Sequence, residues 1–129
     1  MLTATERLQS AGQSESVHSL RSHADWLQWS IEQLARVGAQ DDGSVCRRGF
    51  TKADCEGRQL VAQWMEEAGL SIRVDPAGNL IGRWDGEEPG LPALVTGSHI
   101  DTVPTGGHFD GALGVLALSL IHISEPTRP

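Results

Sequence analysis

LVAQWMEEAGLSIRVDPAGNLIGRW, residues 60–84, changes its apolar period part-way along. Leu60, Val61, Trp64, Met65 and Ala68 recur at helical intervals, and Gly69 is a natural stop, since glycine alone takes a left-handed end residue without strain. Beyond Gly69 the period becomes two. Ser71 to Val74 reads as a short strand, Asp75-Pro76-Ala77-Gly78 as a tight turn, and Asn79 to Trp84 as the returning strand. This is a helix feeding a hairpin. Upstream, Thr51-Lys52-Ala53-Asp54 predicts the helix start, with a hydroxyl at the cap and a carboxylate three residues on to accept from free N–H groups. Gly38 to Gly49 is a loop. Before it, Leu20, Ala24, Leu27, Ile31 and Leu34 form one apolar stripe, with Asp25 and Gly38 as end signals, so a further amphipathic helix is expected from Ala24. Residues 1–23 are polar and read as an N-terminal arm. Downstream, Asp85 to Pro92 is an acidic loop and Ala93 to Gly97 is nearly all apolar, as expected of a strand buried on both faces. A glycine-rich loop and the opening of an apolar helix follow. That order belongs to an α/β domain with Leu94–Thr96 in the same sheet as the hairpin.

The 129 residues suit one small domain. Ten Lys and Arg stand against 17 Asp and Glu, a net charge of -7, which argues against nucleic acid or an anionic membrane as partner. The longest nearly apolar stretch, Gly111 to Ile121, is shorter than the roughly 18 residues of a membrane span. Glu6 and Arg7 stand where a secretory signal would be apolar. Cys46 and Cys55 make no disulfide framework and read as reduced thiols, so a cytoplasmic location is expected.

The chemistry lies in GSHIDTVPTGGHFDGALGV, residues 97–115. It starts where the apolar strand is expected to end, the usual place for a ligand in an α/β sheet. His99, Asp101, His108 and Asp110 fall within twelve residues. Imidazole nitrogen and carboxylate oxygen are ligands for zinc, manganese and related divalent ions. Extended backbone would put His99 and Asp101 on one side, where the carboxylate can accept from the ring N–H that faces away from a metal. Asp110 can return to the same point after the Gly106-Gly107 turn and could join two metals. Taken alone, His99 is more often a hydrogen-bonded structural residue and Asp101 a turn or cap residue.

The same run resembles the first metal-binding motif of the amidase, hydantoinase/carbamoylase family, metal-dependent amidohydrolases related to the zinc aminoacylases and carboxypeptidases. The likeness extends through Arg48-Gly49-Phe50-Thr51, residues 64–70 and Asp75-Pro76-Ala77-Gly78-Asn79-Leu80, covering roughly residues 43–117. It implies an α/β, zinc-peptidase-like catalytic domain with a mixed β-sheet flanked by helices, of which this chain would be the truncated N-terminal part. It implies His99 as a ligand of one metal, Asp110 as the carboxylate bridging two, and Asp101 as the catalytic-site partner of the histidine. Two divalent ions are implied, zinc or manganese, with cobalt and nickel as further candidates. His108 matches no ligand and is expected in solvent. The implied substrates are small N-carbamoyl-L-amino acids or allantoate-like ureido acids, hydrolysed at a carbon–nitrogen bond by metal-activated water. A homodimer through a domain missing here is implied as well. The family's catalytic glutamate and later ligands have no counterpart, so the chain alone is expected to be inactive. An aminoacylase or dipeptidase of the same superfamily is the alternative, and a non-catalytic binding module that kept the fold is another.

The stretch after Ala117, Leu118 to Pro129, ends in Glu-Pro-Thr-Arg-Pro with no helix cap and is similar to the translation of a transposon-end adapter used in sequencing libraries. Residues 24–117 are therefore read as the catalytic-domain part and 118–129 as adapter-derived read-through.

Overall fold

A computed structural model describes residues 23–88 and 90–124, the last five by backbone alone. Leu20, most of the N-terminal arm, Pro89 and residues 125–129 lie outside the described residues. The first helix, α1, occupies 23–36. Its buried side is Ser30, Ile31, Leu34 and Ala35, with Leu27 half-buried. Ala24, expected on that stripe, is exposed.

The second helix, α2, runs Lys52–Glu67, and both of its ends follow from local chemistry. Thr51 caps it by accepting from the Asp54 N–H at 3.4 Å, while the Asp54 carboxylate accepts from the Phe50 N–H at 2.9 Å. The carboxylate thus bonds one residue further out than the reciprocal capping box would have it. At the other end Gly69 takes φ +85°. Its N–H bonds the Glu66 carbonyl and the Leu70 N–H bonds the Met65 carbonyl, the paired closure that satisfies a helix's last acceptors.

The hairpin follows at once. Strand β1, Ser71–Val74, pairs antiparallel with β2, Leu80–Arg83, in the register Ser71↔Arg83 to Val74↔Leu80. Asp75 organises the turn: Oδ1 accepts from the Ala77 and Asn79 N–H groups, and Oδ2 from the Asn79 amide. These bonds to Asn79, side chain first and backbone next, hold the Asp75 carboxyl below its ordinary value. Helix α2 packs on both strands.

Ala93–Gly97 departs from expectation. It forms no strand, Leu94 is 97% exposed and Val95 85%, and the sheet among the described residues has two strands. A strand buried on both faces needs neighbours to satisfy its N–H and C=O groups, and no described segment lies beside this one to supply them.

The third helix, α3, covers Ala112–Ser124 and continues through residue 117 without a break. Ala112 and Leu116 are buried and meet Ile31 and Leu34 of α1, Val61 and Trp64 of α2, and Ile100 in one core. Trp26 and Trp29 of α1 lie against Trp64, ring centroids 6.1 and 5.6 Å away. Among the described residues no helix is long and apolar enough to cross a membrane.

Candidate functional site

The expected loop from Gly38 to Gly49 is firmly tied to the segment expected to carry the chemistry. Val45 and Gly106 exchange both backbone hydrogen bonds at 2.9 Å, making an isolated antiparallel bridge. Two residues on, the Arg47 N–H donates to Thr102 Oγ1 and the Arg47 carbonyl accepts from the Thr102 N–H, each at 2.8 Å. Thr102 Oγ1 in turn donates to the Val45 carbonyl. Segment 99–102 is thereby held extended, with His99 and Asp101 exposed and Ile100 and Thr102 buried. This alternation puts His99 and Asp101 on one side.

The ring of His99 has a defined orientation. Nδ1 lies 3.0 Å from the Asp101 carbonyl oxygen and 3.3 Å from Asp101 Oδ1. A carbonyl only accepts, so Nδ1 carries a proton and donates, and in the neutral ring the lone pair is then on Nε2. That nitrogen faces Asp110, with Oδ1 3.9 Å away. The three side chains are each a little over half exposed, which leaves the space between Nε2 and the carboxylate open to solute.

Gly111 makes this approach possible. Its φ is +66°, and a Cβ there would sit 2.4 Å from the His99 carbonyl oxygen and 2.5 Å from the ring carbon Cε1. Ser98 Oγ donates to the Gly111 carbonyl at 2.9 Å and closes the loop from the other side. His108 stands apart: it is exposed, and its Nε2 donates to the Gly43 carbonyl at 3.0 Å.

These donors suit a divalent cation in kind. Zinc bonds to imidazole nitrogen or carboxylate oxygen are about 2.0–2.2 Å long, which at a tetrahedral ion puts two donors about 3.4 Å apart. The 3.9 Å between Nε2 and Oδ1 is about half an ångström wider, a gap that a small turn of either exposed side chain closes. Among the described residues no group of three His, Cys, Asp or Glu side chains is assembled for a metal.

One residue of the site escaped the sequence reading. Arg47 is 2% exposed, while its neighbour Arg48 is on the surface. Nothing in the composition of Cys46-Arg47-Arg48 separates the two. The available signal was Val45: a buried apolar residue two positions earlier on a bridged segment puts residue 47 on the same inward face. Burial pushes the Arg47 guanidinium below its ordinary value, with Asp54 and Asp101 pulling the other way.

No family model matches the chain. Among solved structures, a hydantoinase/carbamoylase family amidase from Burkholderia ambifaria is 42% identical and superposes with a TM-score of 0.76, over 78% of this chain and 25% of that one. The N-carbamoyl-L-amino-acid amidohydrolase of Pseudomonas sp. (strain NS671) is 50% identical over 101 residues, 77% of this chain and 24% of the relative. This chain belongs to the hydantoinase/carbamoylase amidase family. Two other relatives of this chain are named for different activities. The ureidoglycolate hydrolase of Arabidopsis thaliana is 43% identical over 106 residues, 81% of this chain and 22% of the relative. The allantoate amidohydrolase of Bacillus subtilis (strain 168) is 43% identical over 99 residues, 77% of this chain and 23% of the relative. The chain therefore spans about a quarter of the length of these curated relatives, and its α/β class is that of its structural neighbours.

Proposed function

We propose that the whole enzyme of which these residues form part is a metal-dependent amidohydrolase, cleaving a carbon–nitrogen bond of an N-carbamoyl-L-amino acid or a related ureido acid. The observation that carries this reading is the His99 ring, its Nδ1 committed to Asp101 and its Nε2 lone pair turned toward Asp110, in a chain 50% identical to an N-carbamoyl-L-amino-acid amidohydrolase. His99 would hold metal through Nε2, and Asp101 holds the ring in the tautomer that leaves Nε2 free. The Asp110 carboxylate would supply the facing oxygens and, having two of them, would suit a second ion as well. Divalent ions held there, zinc or manganese with cobalt and nickel as further candidates, supply Lewis-acid polarisation of the carbamoyl carbonyl and an activated water. Hydrolysis of a carbamoyl group releases ammonia and carbon dioxide and leaves the free amine. The general base, the remaining ligands and a homodimer contact belong to parts of the enzyme beyond these residues, and a cytoplasmic location is part of the same proposal. Residues 118–129 are assigned to adapter-derived sequence.

The test is the whole enzyme, purified, with its metal content measured and ammonia release followed on N-carbamoyl-L-amino acids, ureidoglycolate and allantoate. At least one is expected to be hydrolysed, with activity lost on chelation and restored by one of the four ions. Hydrolysis of N-acetyl amino acids or dipeptides, with no ammonia from any ureido acid, refutes the reading in favour of an aminoacylase or dipeptidase.

A further inference from the structure

Among the buried polar groups, Arg47 joins more separate pieces of backbone than its place in a loop requires. Its Nε donates to the Ile100 carbonyl at 2.8 Å. Its Nη1 donates to the carbonyls of Leu34 and Val37, each at 2.8 Å, at the C-terminal end of α1. The Leu34 carbonyl also accepts from the Val37 N–H at 3.1 Å, and the two carbonyls lie at the negative end of the helix dipole, which suits a cation. Ile100 lies between His99 and Asp101, and the Arg47 backbone holds Thr102 on the far side of Asp101. Asp101 is therefore flanked by two positions pinned by one residue. The guanidinium lies against α2 where Gly57 has no side chain, since a Cβ there would come within 2.7 Å of Arg47 Cδ.

We infer that Arg47 is a positioning residue for the metal site: it locks the peptide between His99 and Asp101 to the end of α1 and so sets the Nδ1–Asp101 contact that leaves Nε2 free. The inference rests on the metal reading above. A planar guanidinium can serve the helix end and the loop at once through nitrogens held in one rigid fork, whereas a lysine ammonium is a single point. With that lock gone, the loop keeps its sequence and loses its register. His99 can then rotate away from Asp101 and sample the other tautomer. Removing an outer partner of a ligating histidine typically weakens metal binding about 10–100-fold.

The experiment uses the whole enzyme as wild type, Arg47→Lys, Thr102→Val, His99→Ala and Gly69→Ala. The last disturbs the α2 end, away from the loop, and controls for lost stability. Zinc affinity is measured by chelator competition well below each unfolding midpoint, with kcat and KM, and the His99 tautomer is read by nitrogen NMR in the metal-free enzyme. Arg47→Lys is expected to bind zinc about 10–100-fold more weakly, to lose kcat more than KM, and to show a mixed His99 tautomer. Gly69→Ala should match wild type in all three. Should Arg47→Lys fail to fold, Thr102→Val, which removes one of the loop's anchors, should show the same pattern in weaker form. A folded Arg47→Lys enzyme with wild-type zinc affinity and a single tautomer, beside a His99→Ala enzyme that has lost zinc, overturns the role of Arg47 alone. If His99→Ala also keeps wild-type affinity, the metal reading itself has failed and the inference falls with it.

Discussion

Gly111→Ala is the smallest change expected to disable the site, and its cost can be worked from geometry. Residue 111 has φ +66°, a left-handed conformation that costs a residue bearing Cβ about 1–2 kcal/mol. The new methyl would stand 2.4 Å from the His99 carbonyl oxygen and 2.5 Å from Cε1. Ordinary contact begins near 3.4 Å, so His99 or the start of α3 must retreat by about 1 Å. Overpacking of this kind costs about 1–3 kcal/mol, which brings the expected destabilisation to about 2–5 kcal/mol. Activity should suffer more, because a misplacement of about 1 Å at a reacting site can cost about 100-fold. Gly107→Ala is the matched control, since a Cβ there meets nothing within 4 Å and its φ is not left-handed. Thermal unfolding, metal content and ammonia release of both variants, made in the whole enzyme, form the assay. A Gly111→Ala enzyme with wild-type midpoint, full metal and full turnover would refute both the strain and the placement of His99.

Other outcomes follow from the same contacts. In the whole enzyme, His99→Ala and Asp110→Ala should each lose bound metal and most ammonia release, as measured by elemental analysis and a turnover assay; an Asp110→Ala enzyme that stays fully active with two metals bound would sink the ligand assignment. His108→Ala gives up one exposed bond to the Gly43 carbonyl and should leave metal content and turnover nearly unchanged, with a stability loss below about 1 kcal/mol. The 129-residue chain alone should release no ammonia from any ureido acid, because a catalytic zinc usually takes three protein ligands and an open position, and His99 and Asp110 are two. Asp75 has its carboxyl depressed by Asn79, so its stabilising bonds are present above its ordinary value of 3.8 and are lost as pH falls below that toward the depressed value. Asp75→Asn should flatten this acid limb of the unfolding profile, and an unaltered limb would exclude the turn as its source.

The sequence alone settled the features whose causes lie within a few residues of one another. The Thr51 cap, the Gly69 closure of α2 and the Asp75–Asn79 turn are bonds between near neighbours, so the residues that cause them can be read together. The family was legible in the 97–115 run for a similar reason: its histidines, carboxylates and glycines sit close enough in the chain to be recognised as one motif, and a solved structure 42% identical carries that family name. What only tertiary structure decided depends on contacts between distant segments. Arg47 is buried and Arg48 exposed because the end of α1 and segment 100–102 converge on residue 47 alone. Gly111 must lack a side chain, while Gly107 need not, because the ring of His99 comes back over the one and nothing approaches the other. Ala93–Thr96 has a strand's apolar composition and no strand's bonds, because hydrophobicity is a property of side chains whereas a sheet also requires a second backbone alongside.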